Sequence, residues 1–172
     1  MQTSLSRVVR WNVRCLEFQH RSITYVLAAD SYGRLLGRTT KNELAEFSSW
    51  TNSAVFEEAE QLVARALGRR QGISDCFRRI LGVVCDPSPS GEQYRFTGDF
   101  QCLVCGSTNV EYGPDDPPQF ETIELPLGTH YRWDQLSQLK RSALIQEALH
   151  DGGCLPWDTY LEGLRLGRSQ PR

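Results

Sequence analysis

Two cysteines separated by two residues and followed by glycine, Cys102-Leu103-Val104-Cys105-Gly106, are the densest group of reactive side chains in this 172-residue chain. Thiols at that spacing can grip one soft metal ion or exchange electrons as a dithiol. Dithiol chemistry needs the pair at the N-terminus of a helix that follows a strand, where the first thiol's pKa is lowered. Here "FQC" reads as a strand end and the residues after Cys105 as loop and strand, so metal binding is the favoured chemistry.

A zinc knuckle uses such a pair because the intervening turn aims both sulfurs at one ion, and glycine after the second permits the backbone conformation the turn requires. "FQCLVCGS" supplies strand, Cys, two residues, Cys and Gly in that order. At the level of this motif the segment resembles the knuckle of zinc-ribbon proteins. The resemblance implies β-hairpins gripping a tetrahedral ion, here structural Zn2+, and it implies a second ligand pair, although the chain has no second CxxC. Two degenerate candidates exist. "CLEFQH" puts Cys15 at a strand end with His20 five residues on and Phe18 where a paired cysteine would stand; "CDPS" offers Cys85 with Ser88, a hydroxyl that zinc rarely takes. The first is preferred. The expected site is Cys102, Cys105, Cys15 and His20, holding structural zinc or persisting as a metal-free relic.

Other chemistry has little support. His130 and His150 fall in a loop and at a helix end, "GRLLGRT" lacks the lysine of a phosphate-binding loop, and GxSxG and HExxH are absent from the sequence. The expectation is a protein that is not an enzyme.

The elements that must position the four ligands are a mixture of strands and helices. "VRWNVRC" alternates, with Val9, Trp11, Val13 and Cys15 on one side, and predicts a half-buried strand. "ITYVLAAD" and "RLLGRT", joined by Asp30, Ser31 and Gly33, predict a hairpin. Val55, Ala59, Leu62, Val63 and Ala66 recur at helical spacing after a cap at Asn52 or Ser53, with Gly68 as terminator. Ile73, Cys76, Phe77, Ile80 and Leu81 form a second stripe, in which Cys76 reads as an apolar core residue. Period two resumes over 94–102, a Pro-rich acidic loop "GPDDPP" follows, and Trp133, Leu136, Leu139, Ala143, Leu144 and Ala148 predict a helix over 133–150. A short helix after Pro156 ends the pattern. Segregated strands and helices indicate one α+β domain over 1–172, with an antiparallel sheet, a knuckle-like element at 99–112, two main helices and a helical region at 130–166.

With 40% hydrophobic and 23% charged residues and a formal charge of −2, the composition is globular. No apolar run reaches the ~18 residues of a membrane helix and no secretory leader is legible, so a cytoplasmic location is expected. The charge is segregated: residues 1–42 hold seven basic and two acidic side chains, whereas 83–125 hold one arginine and eight acids. Two functional classes follow. The first is a partner-binding protein of immunity, antitoxin or adaptor type, whose acidic segment 111–124 meets a basic protein surface. The second is a nucleic-acid-associated zinc-ribbon protein, whose Arg7, Arg10, Arg14 and Arg21 track phosphates. A five-arginine cluster, Arg65, Arg69, Arg70, Arg78 and Arg79, reads as solvated helix faces.

Overall fold

The computed structural model describes residues 2–29, 33–47, 54–68 and 73–155. The fold is α+β. Its larger sheet is built on a long strand, β1 (Thr3–Cys15), which pairs antiparallel with β2 (Arg21–Leu27) along one edge. A separate two-stranded sheet joins β3 (Leu35–Arg38) to β4 (Leu44–Phe47). Helices α1 (Ala54–Leu67) and α2 (Ile73–Ile80) follow, and a 3-10 turn, Leu81–Val84, continues from α2. Strands β5 (Val110–Pro114) and β6 (Phe120–Pro126) lie in tandem along the other edge of β1, and α3 (Tyr131–Asp134) and α4 (Gln138–Asp151) complete the described chain.

The alternation of β1 carries two burial patterns. Ser6 and Val8 are buried on one face of its first half, and Val13 and Cys15 on the opposite face of its second half. A thirteen-residue strand can therefore serve two packed regions, because successive side chains point to opposite sides. The second half follows the alternation expected from the sequence, and it ends at Cys15.

The charge segregation is resolved by strand pairing. Basic β1 lies against acidic β5, β6 and their connecting loop: Arg14 faces Glu111 at 3.9 Å and Arg10 faces Asp115 at 3.8 Å. Asn12 also donates to Asp115, the Tyr25 hydroxyl donates to Glu121 at 3.2 Å, and Thr3 donates to Glu124. Four of the five acids of segment 111–124 thus have partners on β1 or β2.

The core lies among the helices and the smaller sheet. Phe47, Phe56, Val63, Phe77, Leu81, Val84, Trp133, Ile145 and Leu149 are almost wholly buried in one cluster. Glu58 on α1 accepts from the indole of Trp133 at 3.1 Å and from Arg141 on α4 at 2.6 Å, fastening three helices. The sheets meet where Glu46 bridges Leu127 and accepts from the N–H of Gly128 at 2.8 Å. A Cβ at Gly128 would fall 2.0 Å from the Phe47 ring, so only glycine allows this approach.

Several expectations are corrected. The 23–39 hairpin does not form: β2 turns back on β1 through residues 16–19, and β3 pairs with β4 through a turn at Asn42, which takes φ 62°. Residues 94–102 make only one isolated bridge, Arg95 with Arg38, in place of a strand. The helix expected over 133–150 is two helices, because the hydroxyl of Ser137 accepts from Lys140 N–H and starts α4 afresh. The phase shifts accordingly. Ile145, Ala148 and Leu149 are buried, and Leu139, expected on the inner face, is 84% exposed. Cys76 is buried but bonded to Cys154, with Cα atoms 5.9 Å apart, within the span a disulfide accepts.

The caps at Asn52 and Ser53, the turn residues Asp30 and Ser31, the helix after Pro156, and Arg69 and Arg70 of the arginine cluster lie outside the described residues. No helix among the described residues is long and apolar enough to cross a membrane.

Candidate metal centre

Two turns build the site. At the end of β1, Cys15 donates its N–H to the carbonyl of His20 at 2.9 Å and accepts from Gln19 N–H at 3.0 Å. At the knuckle, Cys102 donates to the carbonyl of Ser107 at 2.8 Å and accepts from Gly106 N–H at 2.8 Å. The hydrogen-bond pattern is the same in both: cysteine to the fifth residue on, and the fourth residue back to cysteine. Gln19 and Gly106 hold the equivalent left-handed position, with φ 58° and 74°. Residues 15–20 are therefore a second knuckle in backbone terms, with Phe18 in the place of Cys105 and His20 in the place of Ser107.

His20 lies opposite Cys15 in the pair that closes the β1–β2 hairpin, so the two side chains share a face. The 102–107 turn is held beside them because Leu16 N–H bonds to Asn109 O at 2.9 Å and Cys15 pairs with Val110 on β5. Four donor atoms converge as a result: one from each of Cys15, His20, Cys102 and Cys105, all within 4.8 Å of one another. Cys15 Sγ lies 3.7 Å from Cys105 Sγ, and Cys102 Sγ lies 3.4 Å from His20 Nδ1.

Those separations can be compared with a tetrahedron. Zinc bonds of about 2.3 Å to sulfur and about 2.0–2.1 Å to nitrogen give edges of about 3.8 Å between sulfurs and about 3.5 Å between sulfur and nitrogen. The 3.7 Å and 3.4 Å separations match these edges. The donor set, three thiols and one imidazole, is of the kind that closes a structural zinc site.

The local electrostatics favour a thiolate. Burial pushes the Cys102 thiol upward, but the backbone N–H groups of Cys105 and Val104, followed by the side chains of His20 and Cys105, outweigh it and bring the pKa down to about 6. At Cys105 the Ser107 N–H acts downward, while burial and the sulfurs of Cys102 and Cys15 prevail and raise the thiol. One sulfur is thus ready to ligate near neutral pH. Cys15 and Cys102 are buried and Cys105 is exposed, so the cluster opens to solvent on the Cys105 side.

The other candidates stand apart. Cys85 is buried, its Sγ lies 3.4 Å from Leu81 O and its thiol is raised by burial and then by the charge of Asp86. Ser88 binds Glu43 at 2.6 Å, so Cys85 and Ser88 do not form a ligand pair. His130 bonds Val84 O at 2.8 Å through Nδ1 and packs against the Phe56 ring at 4.9 Å, and His150 is 4% exposed. Both serve the helical core. The sequence reading did not bring out Gln19, whose positive φ completes the first turn and which no local signal marks.

No family model, curated protein or solved structure matches this chain.

Proposed function

We propose that the chain is a noncatalytic binding module organised by one structural Zn2+ held by Cys15, His20, Cys102 and Cys105. The observation that carries this reading is the convergence of four protein donors from two matching turns. Four protein ligands close a tetrahedron, whereas catalytic zinc sites leave one position to water or substrate. The ion's chemistry here would be purely structural: it would tie the end of the β1–β2 hairpin to the knuckle that leads into β5.

The test is metal content. Protein purified without added metal is expected to carry close to one zinc per chain, and Cys102→Ser is expected to lose it. A chain that purifies metal-free, with a stability indifferent to a chelator, overturns the reading.

A second reading, that the chain is itself an immunity-, antitoxin- or adaptor-like protein whose segment 111–124 engages the basic surface of a partner protein, draws its support from the five acids there. Because Glu111, Asp115, Glu121 and Glu124 already have partners within the chain, that surface would have to compete with them.

A further inference from the structure

A groove of about 460 Å³ runs between the face of the larger sheet, β3 and the 96–100 segment. Its volume lies within the range of about 300–1,000 Å³ typical of ligand sites. Four aromatic side chains line it: Trp11, Phe96, Phe100 and Tyr112. Trp11 lies 5.9 Å from Tyr112 with the rings 21° apart, and Phe100 lies 4.5 Å from Tyr112 and 5.5 Å from Trp11, so three of the rings form one cluster. Tyr112 is 47% exposed, which leaves ring surface for a further partner.

Among the described residues, the charged groups that line the groove are Arg34 and Arg38, and no carboxylate lines it. Arg34 is committed to Glu46 at 3.1 Å. Arg38 lies 4.6 Å from the centre of the Phe100 ring and donates to Tyr25 O through Nη2, but its Nε is buried with no hydrogen-bond partner. A buried guanidinium nitrogen without an acceptor is costly.

We infer that this groove is a stacking site for an unpaired base of a single-stranded nucleic acid, with Arg38 receiving an oxygen of the base edge or the adjoining phosphate. Flat aromatic walls beside an arginine suit a ligand that is flat and carries acceptors or negative charge. The inference rests on the zinc reading in one respect. Trp11 and Phe100 lie just upstream of Cys15 and Cys102, and Tyr112 follows Cys105 on β5, so an ion in the centre fixes the walls relative to one another.

The test is fluorescence anisotropy of dye-labelled dT12 and rU12 with the intact chain, its metal content measured in parallel, against Tyr112→Ala and Arg38→Gln. Saturable binding of either oligomer is expected, weakened about 5- to 100-fold in Tyr112→Ala, the loss of one stacked base. The salt dependence should be shallow, corresponding to about one phosphate. Equal affinity for the same sequence as a duplex, equal affinity for free mononucleotide, or indifference to Tyr112→Ala overturns the inference. A zinc-loaded chain that ignores both oligomers overturns it while leaving the zinc reading intact. If the chain proves metal-free, Tyr112-dependent binding sustains the groove alone and absent binding removes it.

Discussion

Gln19 and Gly106 occupy equivalent places in the two turns of the candidate metal centre, each donating its N–H to the cysteine carbonyl four residues back with a positive φ. Glycine adopts that conformation freely; glutamine does so at a cost of about 1–2 kcal/mol. Gln19 offsets part of this by accepting from Arg14 Nε at 2.9 Å and Nη2 at 2.6 Å.

Gln19→Gly should therefore stabilise the protein by up to about 1 kcal/mol, the relief of the backbone exceeding the lost surface hydrogen bonds. Gly106→Ala should destabilise it by about 1–2 kcal/mol. A Cβ there meets nothing within 4 Å, so the effect would be conformational and not steric. Urea titrations of both variants decide; an unchanged midpoint for Gly106→Ala would show that the turn does not depend on its left-handed residue.

Phe18 stands where the first turn lacks its second sulfur, and its ring lies 5.8 Å from that of His20 at 25°. Phe18→Cys should retain one metal per chain and bring a fourth sulfur to the centre in competition with His20. Cobalt-substituted protein would report this as stronger thiolate charge-transfer absorption. A spectrum identical to that of the parent rules out equivalence of the two turns at the level of side-chain reach.

Asp86 gives the helical region an acid limit. Burial pushes its carboxyl upward, but Thr129 Oγ1, the N–H groups of Arg132 and Tyr131 at 2.8 Å each, and the charge of His130 hold it below its ordinary value of 3.8. A group depressed in the folded state contributes stability that is complete above its unfolded pKa and is lost as pH falls through the folded one. Thermal melting should thus fall with pH below about 4, and Asp86→Asn should flatten that limb while lowering Tm at neutral pH. A full-size acid limb in Asp86→Asn would assign it to other carboxylates.

Reduction of the Cys76–Cys154 disulfide, or Cys154→Ser, should cost about 2–4 kcal/mol, since the linkage spans 78 residues and restrains the unfolded chain. Denaturation with and without reductant measures it, and metal content should not change. An equal midpoint in both conditions would mean that the helices hold their ends without the bond.

The clustering of the four donors was legible because the signals are local: "CLVCG" dictates its own turn, and Cys15 with His20 sit at the ends of one short loop. α1 and α2 were legible for the same reason, through their apolar stripes and Gly68. The β1–β2 hairpin was hidden because Gln19 fills a position that glycine or asparagine normally announces. Ser137 restarts a helix inside a stretch whose apolar spacing reads as continuous, and that spacing puts Leu139 inward. The Cys76–Cys154 pairing joins distant positions that no local pattern connects, and residues 94–102 alternate like a strand yet find only Arg38 as a bridging partner.

The disulfide has a topological consequence once an ion sits between the two turns. The ion would join positions 15 and 20 to 102 and 105, the disulfide joins 76 to 154, and these spans overlap, so the two rings interleave. Beyond strand pairing and core packing, a single proteolytic nick between 20 and 76 would leave the pieces joined by the ion alone, one between 105 and 154 by the disulfide alone, and one between 76 and 102 by both.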